Sequence, residues 1–183
     1  KNKITARNYI GKTPLINKER IIDKEMADYV TEYVSYVNGL GGVQEYEQKF
    51  DYSDWVPGGF GTGDAVIVKG TTLFSIDLKY GKGIPVSAEE NPQGMLYALG
   101  ALSERDAFQK FDKVIIVIHQ PRLNSVSEWE TTPEHIYEFA AYAKERAVLT
   151  LTDNPERTPG EKQCQWCRAK ATCPALQTQT EHA

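Results

Sequence analysis

Apolar positions switch between helical and strand spacing along the chain. Residues 18–38 hold Ile21, Ile22, Met26, Tyr29, Val30, Tyr33, Val34 and Val37, a one-sided helical pattern that predicts a first helix. Gly39, Gly41 and Gly42 end it. Val43 to Tyr52 alternates and predicts a strand, broken by Trp55-Val56-Pro57-Gly58-Gly59. Thr62–Val68 and Thr72–Leu78 predict a second and a third strand, joined as a hairpin by a turn at Lys69-Gly70. Residues 88–104 predict a helix with Met95, Leu96, Leu99 and Leu102 inward. Asn91-Pro92 lies near its start, the one place where a helix tolerates proline. Val114–Ile118 is five β-branched residues in succession, as in a strand buried on both faces. Val126–Thr131 predicts a short edge strand. Pro133–Leu149 predicts a last long helix, with Ile136, Phe139, Ala140, Ala143 and Ala147 on one face. This order predicts an α/β fold, a central mixed sheet with helices on its faces.

Length and composition sharpen that picture. The chain has 183 residues, 40% hydrophobic and 25% charged, enough for one domain with a substantial core. Residues 152–162 read as a Pro/Asp/Glu/Gly linker, which divides the chain into a core at 1–151 and a cysteine-containing segment at 152–183. No apolar run approaches the ~20 residues that cross a bilayer. The opening Lys1-Asn2-Lys3-Ile4-Thr5 has no apolar stretch of signal-peptide type, so no membrane contact and a cytoplasmic location are expected. Cys164, Cys167 and Cys173 all fall late, which excludes a secreted disulfide framework. The net charge of −4 runs against a nucleic-acid binder, which is usually basic. A carboxylate–metal site is acidic by construction, however, and phosphate contact needs only a local basic patch.

The chemistry concentrates at Asp77-Leu78-Lys79, with Asp64 thirteen residues upstream. Asp-X-Lys on a strand is usually a solvated, salt-bridged face. Here Asp77 follows Leu73-Phe74-Ser75-Ile76, and a charge in such a run is costly unless used. Asp64 sits between Gly63 and Ala65-Val66-Ile67-Val68, where small neighbours let another group approach closely. Asp64 and Asp77 could supply the one or two carboxylates that Mg²⁺ (or Mn²⁺) requires, with the Leu78 backbone carbonyl as a further ligand. Residues 77 and 79 point the same way on a strand, which places Lys79 beside the metal to orient a water and meet a phosphate. Gln93 and Tyr97, four apart, share a face of the next helix.

Gly61-Thr62-Gly63-Asp64-Ala65-Val66, Ile76-Asp77-Leu78-Lys79-Tyr80-Gly81-Lys82-Gly83 and Gln93-Gly94-Met95-Leu96-Tyr97-Ala98-Leu99 together resemble the RecB-type branch of the PD-(D/E)XK nucleases, over about residues 20–120. The resemblance implies a restriction-endonuclease-like core and Mg²⁺ held by Asp64 and Asp77. It implies that Lys79 activates water and that Gln93 and Tyr97 contact substrate and support the site. The family's first-helix His or Glu ligand has no clear match, since His119, His135 and His182 come too late. Glu25, Glu45 or Glu47 could substitute, or a preceding helix could be missing.

Cys164-Gln165-Trp166-Cys167 and Cys173-Pro174 give C-x2-C-x5-C. Such thiolates can hold zinc or a 4Fe–4S cluster, both of which want four ligands, so a fourth must come from outside this segment. The pattern resembles the C-terminal cysteines of iron–sulfur RecB-type (AddB-like) and CRISPR-associated exonucleases; unrelated free thiols are the alternative. Lys79, Lys82, Arg122, Lys144 and Arg146 are candidates for a phosphate-facing patch, although a scattered solvated surface accounts as well for the last two. Trp55 and Phe60 could stack on a splayed base, and Trp55 could equally cap the core. The expectation is a Mg²⁺-dependent DNA nuclease, an exonuclease of phage or RecB type acting in recombination or processing, in a bacterial or phage-infected cell, with DNA and a recombination protein as partners. The alternatives are a non-catalytic DNA-binding or assembly module that keeps the fold, and a metal scaffold centred on the cysteines.

Overall fold

The computed structural model describes residues 4–14 and 20–181, with the backbone alone at 180 and 181. Among these residues, five strands form one mixed sheet in chain order: β1 (Val43–Asp51), β2 (Phe60–Lys69), β3 (Thr72–Leu78), β4 (Lys113–Gln120) and β5 (Ser125–Thr131). Neighbours pair antiparallel except β3 and β4, which are parallel. A parallel pair needs a crossover, here α2 (Pro92–Ser103). The other helices are α1 (Lys24–Leu40), α3 (Pro133–Thr150), and the short α4 (Glu161–Cys164) and α5 (Pro174–Glu181). The fold is α/β, a mixed sheet with helices on both faces. No helix among the described residues is long and apolar enough to cross a membrane.

Side chains alternate across a strand, and the two faces build two cores. Phe50, Val66, Leu73, Val114, Ile116 and Ile118 pack with Met95, Ala98, Leu99 and Leu102 of α2 and Ile136 and Ala140 of α3. Ala65, Ile67, Phe74, Ile76 and Val117 pack with Tyr33 and Val37 of α1. As expected, β4 is almost wholly buried. β5 alternates half-buried and exposed positions, as an edge strand with one wet face does.

The first helix begins later than its apolar spacing suggests. Asp23 is its N-cap, its side chain accepting from the Met26 amide at 2.7 Å. The backbone of Ile22 instead exchanges hydrogen bonds with Gly11 and Lys12, and Ile21 is exposed. Residues 18 and 19 of the expected helix lie outside the described residues. Ala27, Tyr33 and Val37 form the buried face, whereas Val34 is exposed. α2 likewise starts at Pro92 rather than 88, because Asn91 caps it by accepting from the Gly94 amide. Ala88 stays extended, its amide donating to Ser127 Oγ.

α2 lies close to the sheet because it carries glycine at its contact points. A Cβ at Gly94 would collide with Ile116 Cγ2, and one at Gly100 would stand 2.5 Å from Phe50 Cβ. In a free helix Gly→Ala gains about 1 kcal/mol. At Gly100 the sign reverses, because Phe50 Cβ is tied to backbone and cannot swing away. Gly100→Ala is therefore expected to lower Tm in a thermal melt, and an unchanged or raised Tm would contradict this packing.

Candidate active site

Pairing between β2 and β3 stops at Ala65↔Ile76, and Asp64 and Asp77 are the next residues beyond that pair. Asp64 Oδ2 accepts a hydrogen bond from the Leu78 amide at 2.6 Å, satisfying a backbone donor past the end of the ladder. The two aspartates thus meet where the hairpin strands part.

Asp77 is 8% exposed, and two partners offset the cost of burying its charge. Lys79 Nζ stands 2.8 Å from Oδ2. Gln93 Nε2 donates to Oδ1 at 3.2 Å. Gln93 Oε1 accepts from Lys79 Nζ at 2.9 Å, and Gln93 Nε2 also donates to Tyr97 Oη at 3.0 Å. The Gln93 amide is fully used, so its orientation is fixed by the ammonium on one side and the carboxylate on the other. Lys79 meets Asp77 Oδ2 as a charge rather than as an aligned hydrogen-bond donor.

Tyr97 reaches this network by lying over the glycines of β2. A Cβ at Gly61 would collide with its ring, and one at Gly63 would lie 3.9 Å from it. The loop from Lys79 to α2 is pinned by Gln120, buried at the end of β4. Gln120 Oε1 accepts from the Val86 amide at 2.7 Å, and its Nε2 donates to the Ile84 carbonyl. Apolar spacing alone does not single out Gln120, which follows His119 after the run Val114–Ile118. The Lys79 amide donates to the His119 carbonyl at 2.9 Å, which ties the lysine's backbone to β4.

The three glutamates considered for the site have different fates. Glu45 is paired with Arg105 and is committed to holding β1 to the end of α2. Glu25 lies 4.0 Å from both Lys82 Nζ and Arg122, so it faces the basic groups. Glu47 falls opposite Asp64, in the gap between the bridged pairs Tyr46↔Ala65 and Gln48↔Gly63. Its φ is +51°, an uncommon conformation for a residue with a side chain, and such outliers gather at functional sites. Glu47, Asp64 and Asp77 thus form a row across three adjacent strands.

Burial pushes the Asp64 carboxyl above the usual carboxylate range; the Leu78 amide and Lys79 oppose this, while Asp77 and Glu47 add to it. A cation between the aspartates would relieve this stress. Among the described residues no three His, Cys, Asp or Glu side chains converge as a metal cage. Mg²⁺ does not need one, since one or two carboxylates with waters suffice. The donor set fits that ion.

The remaining candidates are dispersed. Cys164 and Cys173 are half-buried, Cys167 is exposed, and all three are free thiols that do not gather. Trp55 packs against the core and tilts on Tyr137, whereas Phe60 is 62% exposed under Lys49 Nζ. Arg122 stacks over Tyr80. Lys144 and Arg146 are exposed on α3. His182 lies outside the described residues.

The raised Asp64 pKa has a consequence for stability. The native state holds that proton more tightly than the unfolded chain, whose Asp titrates near ~3.9. Unfolding free energy therefore falls as pH rises from about 4 through the folded-state pKa. Asp64→Asn, which keeps an acceptor for the Leu78 amide, is expected to raise Tm at neutral pH, with the gain vanishing below about pH 4. Melts at the two pH values test this; a lower Tm for the variant at neutral pH would contradict it.

Comparison with known proteins gives a structural neighbour and a family. A solved structure described as "Crystal structure of SSO0001" is similar at a TM-score of 0.44 and 18% identity, over 81% of this chain and 69% of that one. Over residues 1–183 the chain matches the family described as "Protein of unknown function (DUF2800)", and it belongs to that family.

Proposed function

We propose that this protein is a Mg²⁺-dependent DNA nuclease with a restriction-endonuclease-like core of the RecB type, acting as an exonuclease in recombination or processing. The observation that carries this reading is the Asp77–Lys79–Gln93 network at the parting of β2 and β3, with Asp64 beside it on the Leu78 amide. Two carboxylates and a lysine on adjacent strand ends, braced by a helix glutamine, are what phosphodiester hydrolysis asks of a protein.

Asp64 and Asp77 would hold the cation, with the Leu78 carbonyl and Glu47 as further oxygen donors. Bound Mg²⁺ supplies the Lewis acidity that polarises the scissile phosphate and lowers the pKa of a water. Lys79, paired with Asp77 Oδ2 at 2.8 Å, would orient the attacking water and meet the charge that builds on the phosphate. Gln93 keeps Lys79 aimed through its Oε1, and Tyr97 would present its hydroxyl, beside the Gln93 amide, to the substrate strand. Lys82 and Arg122 supply the local positive charge that a chain of net charge −4 needs to receive a phosphate backbone. Glu25 balances them when DNA is away.

The test is cleavage of labelled linear and circular DNA, single- and double-stranded, with Mg²⁺, Mn²⁺ or EDTA. Metal-dependent loss of linear DNA alone is expected. Asp77→Ala is expected to abolish cleavage, and Lys79→Ala to slow it by at least about a hundredfold, the scale of losing one transition-state donor, each with an unchanged circular dichroism spectrum. Full activity in either variant would overturn the assignment. Salt-sensitive DNA binding without metal-dependent cleavage would instead favour a non-catalytic assembly module.

The basic groups carry their own expectation. Arg122→Ala should weaken DNA binding uniformly across sequences and reduce the salt slope by about one. An unchanged slope would remove Arg122 from the phosphate contacts.

A further inference from the structure

The proposed function draws on Lys82 and Arg122 only for their charge, yet both belong to a definite arrangement. Three elements meet around them: the first turns of α1, the loop that follows β3, and the short turn Pro121–Leu123 after β4. Glu25 and Tyr29 are four apart on α1 and so share one of its faces. Tyr80, next in the chain after Lys79, stands edge-on to Tyr29, with ring centroids 6.3 Å apart and planes at 74°. The Arg122 guanidinium lies over the Tyr80 ring, 5.2 Å from its centroid. Glu25 Oε1 is then 4.0 Å from Lys82 Nζ and 4.0 Å from Arg122 Nη2.

This geometry describes an anion that can be exchanged. A direct charge-assisted hydrogen bond spans about 2.7–2.9 Å. At 4.0 Å one carboxylate oxygen balances two cations without sealing either. The Glu25 and Lys82 side chains are both more than half exposed, and pairs of that kind contribute little, so Glu25 leaves at small cost. Arg122 is held more firmly. Its side chain is 26% exposed and rests on an aromatic ring, an attraction that fixes a cation without neutralising it. A stacked guanidinium still donates in its own plane, in a fork that fits two phosphate oxygens. The helix dipole also favours an acid in the first turn of α1, but it does not account for that acid lying between two cations from other elements.

We infer that Lys82 and Arg122 form a seat for one phosphate of the DNA strand, that Glu25 occupies this seat as a competing carboxylate in the free protein, and that Tyr80 is the positioning residue that holds Arg122 in it. This rests on the proposed action on DNA. Tyr80 follows Lys79 directly, which places the seat at the strand end that carries the candidate site. Occupancy is a competition in which the phosphate brings more oxygens than the carboxylate and meets both cations directly.

The test is affinity for a short labelled DNA, with Ca²⁺ in place of Mg²⁺ to suppress cleavage. Glu25→Gln is expected to tighten binding about two- to fivefold, the scale of one exposed ion pair. The same change is expected to gain nothing in a Lys82→Ala/Arg122→Ala background, a dependence that a mutant cycle isolates. Tyr80→Ala is expected to weaken binding as much as Arg122→Ala does, and to add no further loss when combined with it. Tyr80→Phe keeps the ring and is expected to bind as the wild type does. An equal gain from Glu25→Gln in both backgrounds would show only the general field of a negative charge and overturn the competition. Weaker binding by Glu25→Gln would overturn it too, by placing Glu25 on the divalent cation. A loss in Tyr80→Phe as large as in Tyr80→Ala, or an added loss beyond Arg122→Ala, would overturn the positioning role. Glu25 is exposed, so its variant keeps the inference open to refutation even if Tyr80→Ala fails to fold. Wild-type protein that binds no DNA would overturn the proposed function and the seat together; unchanged variants of a protein that does bind would overturn the seat alone.

Discussion

The buried charge of Asp77 is the constraint around which this molecule is arranged. β3 is buried along nearly its whole length, and a lone carboxylate there would be expelled or protonated in most proteins. It is kept by an ammonium two residues on and an amide from the next helix. Each compensation in turn needs positioning. Lys79 is fixed through its backbone to β4, Gln93 by the packing of α2, and α2 by glycines that let it lie against Phe50 and Ile116.

Local rules and long-range packing divide the account of what the sequence made legible. The strands were readable because hydrophobic spacing reports the faces of a sheet directly; β3 matches its expected bounds, α2 was marked by Asn91-Pro92, and α3 begins at Pro133 as its spacing suggests. The start of α1 was not readable. Ile21 and Ile22 continue a helical spacing, yet the Ile22 backbone is claimed by Gly11 and Lys12, a pairing no local pattern announces.

The candidate site shows the same division. Asp64, Asp77, Lys79, Gln93 and Tyr97 could be picked out as residue types at telling spacings, and four of the five are joined in one hydrogen-bonded network, with Asp64 bound to the adjoining Leu78 amide. Choosing among Glu25, Glu45 and Glu47 was beyond the sequence, because the choice depends on who else is near. Arg105 claims Glu45, the basic groups flank Glu25, and a left-handed backbone sets Glu47 opposite Asp64.

The account's central claim is that Asp64 and Asp77 share a divalent cation. The most direct measurement is anomalous diffraction from crystals soaked in Mn²⁺, which scatters distinctively and takes the same oxygen ligands as Mg²⁺. A peak between the two carboxylates, with Lys79 Nζ moved off Asp77 Oδ2, is the predicted result. No peak there at saturating Mn²⁺, or Mn²⁺ elsewhere with the Asp77–Lys79 pair intact, would contradict the account.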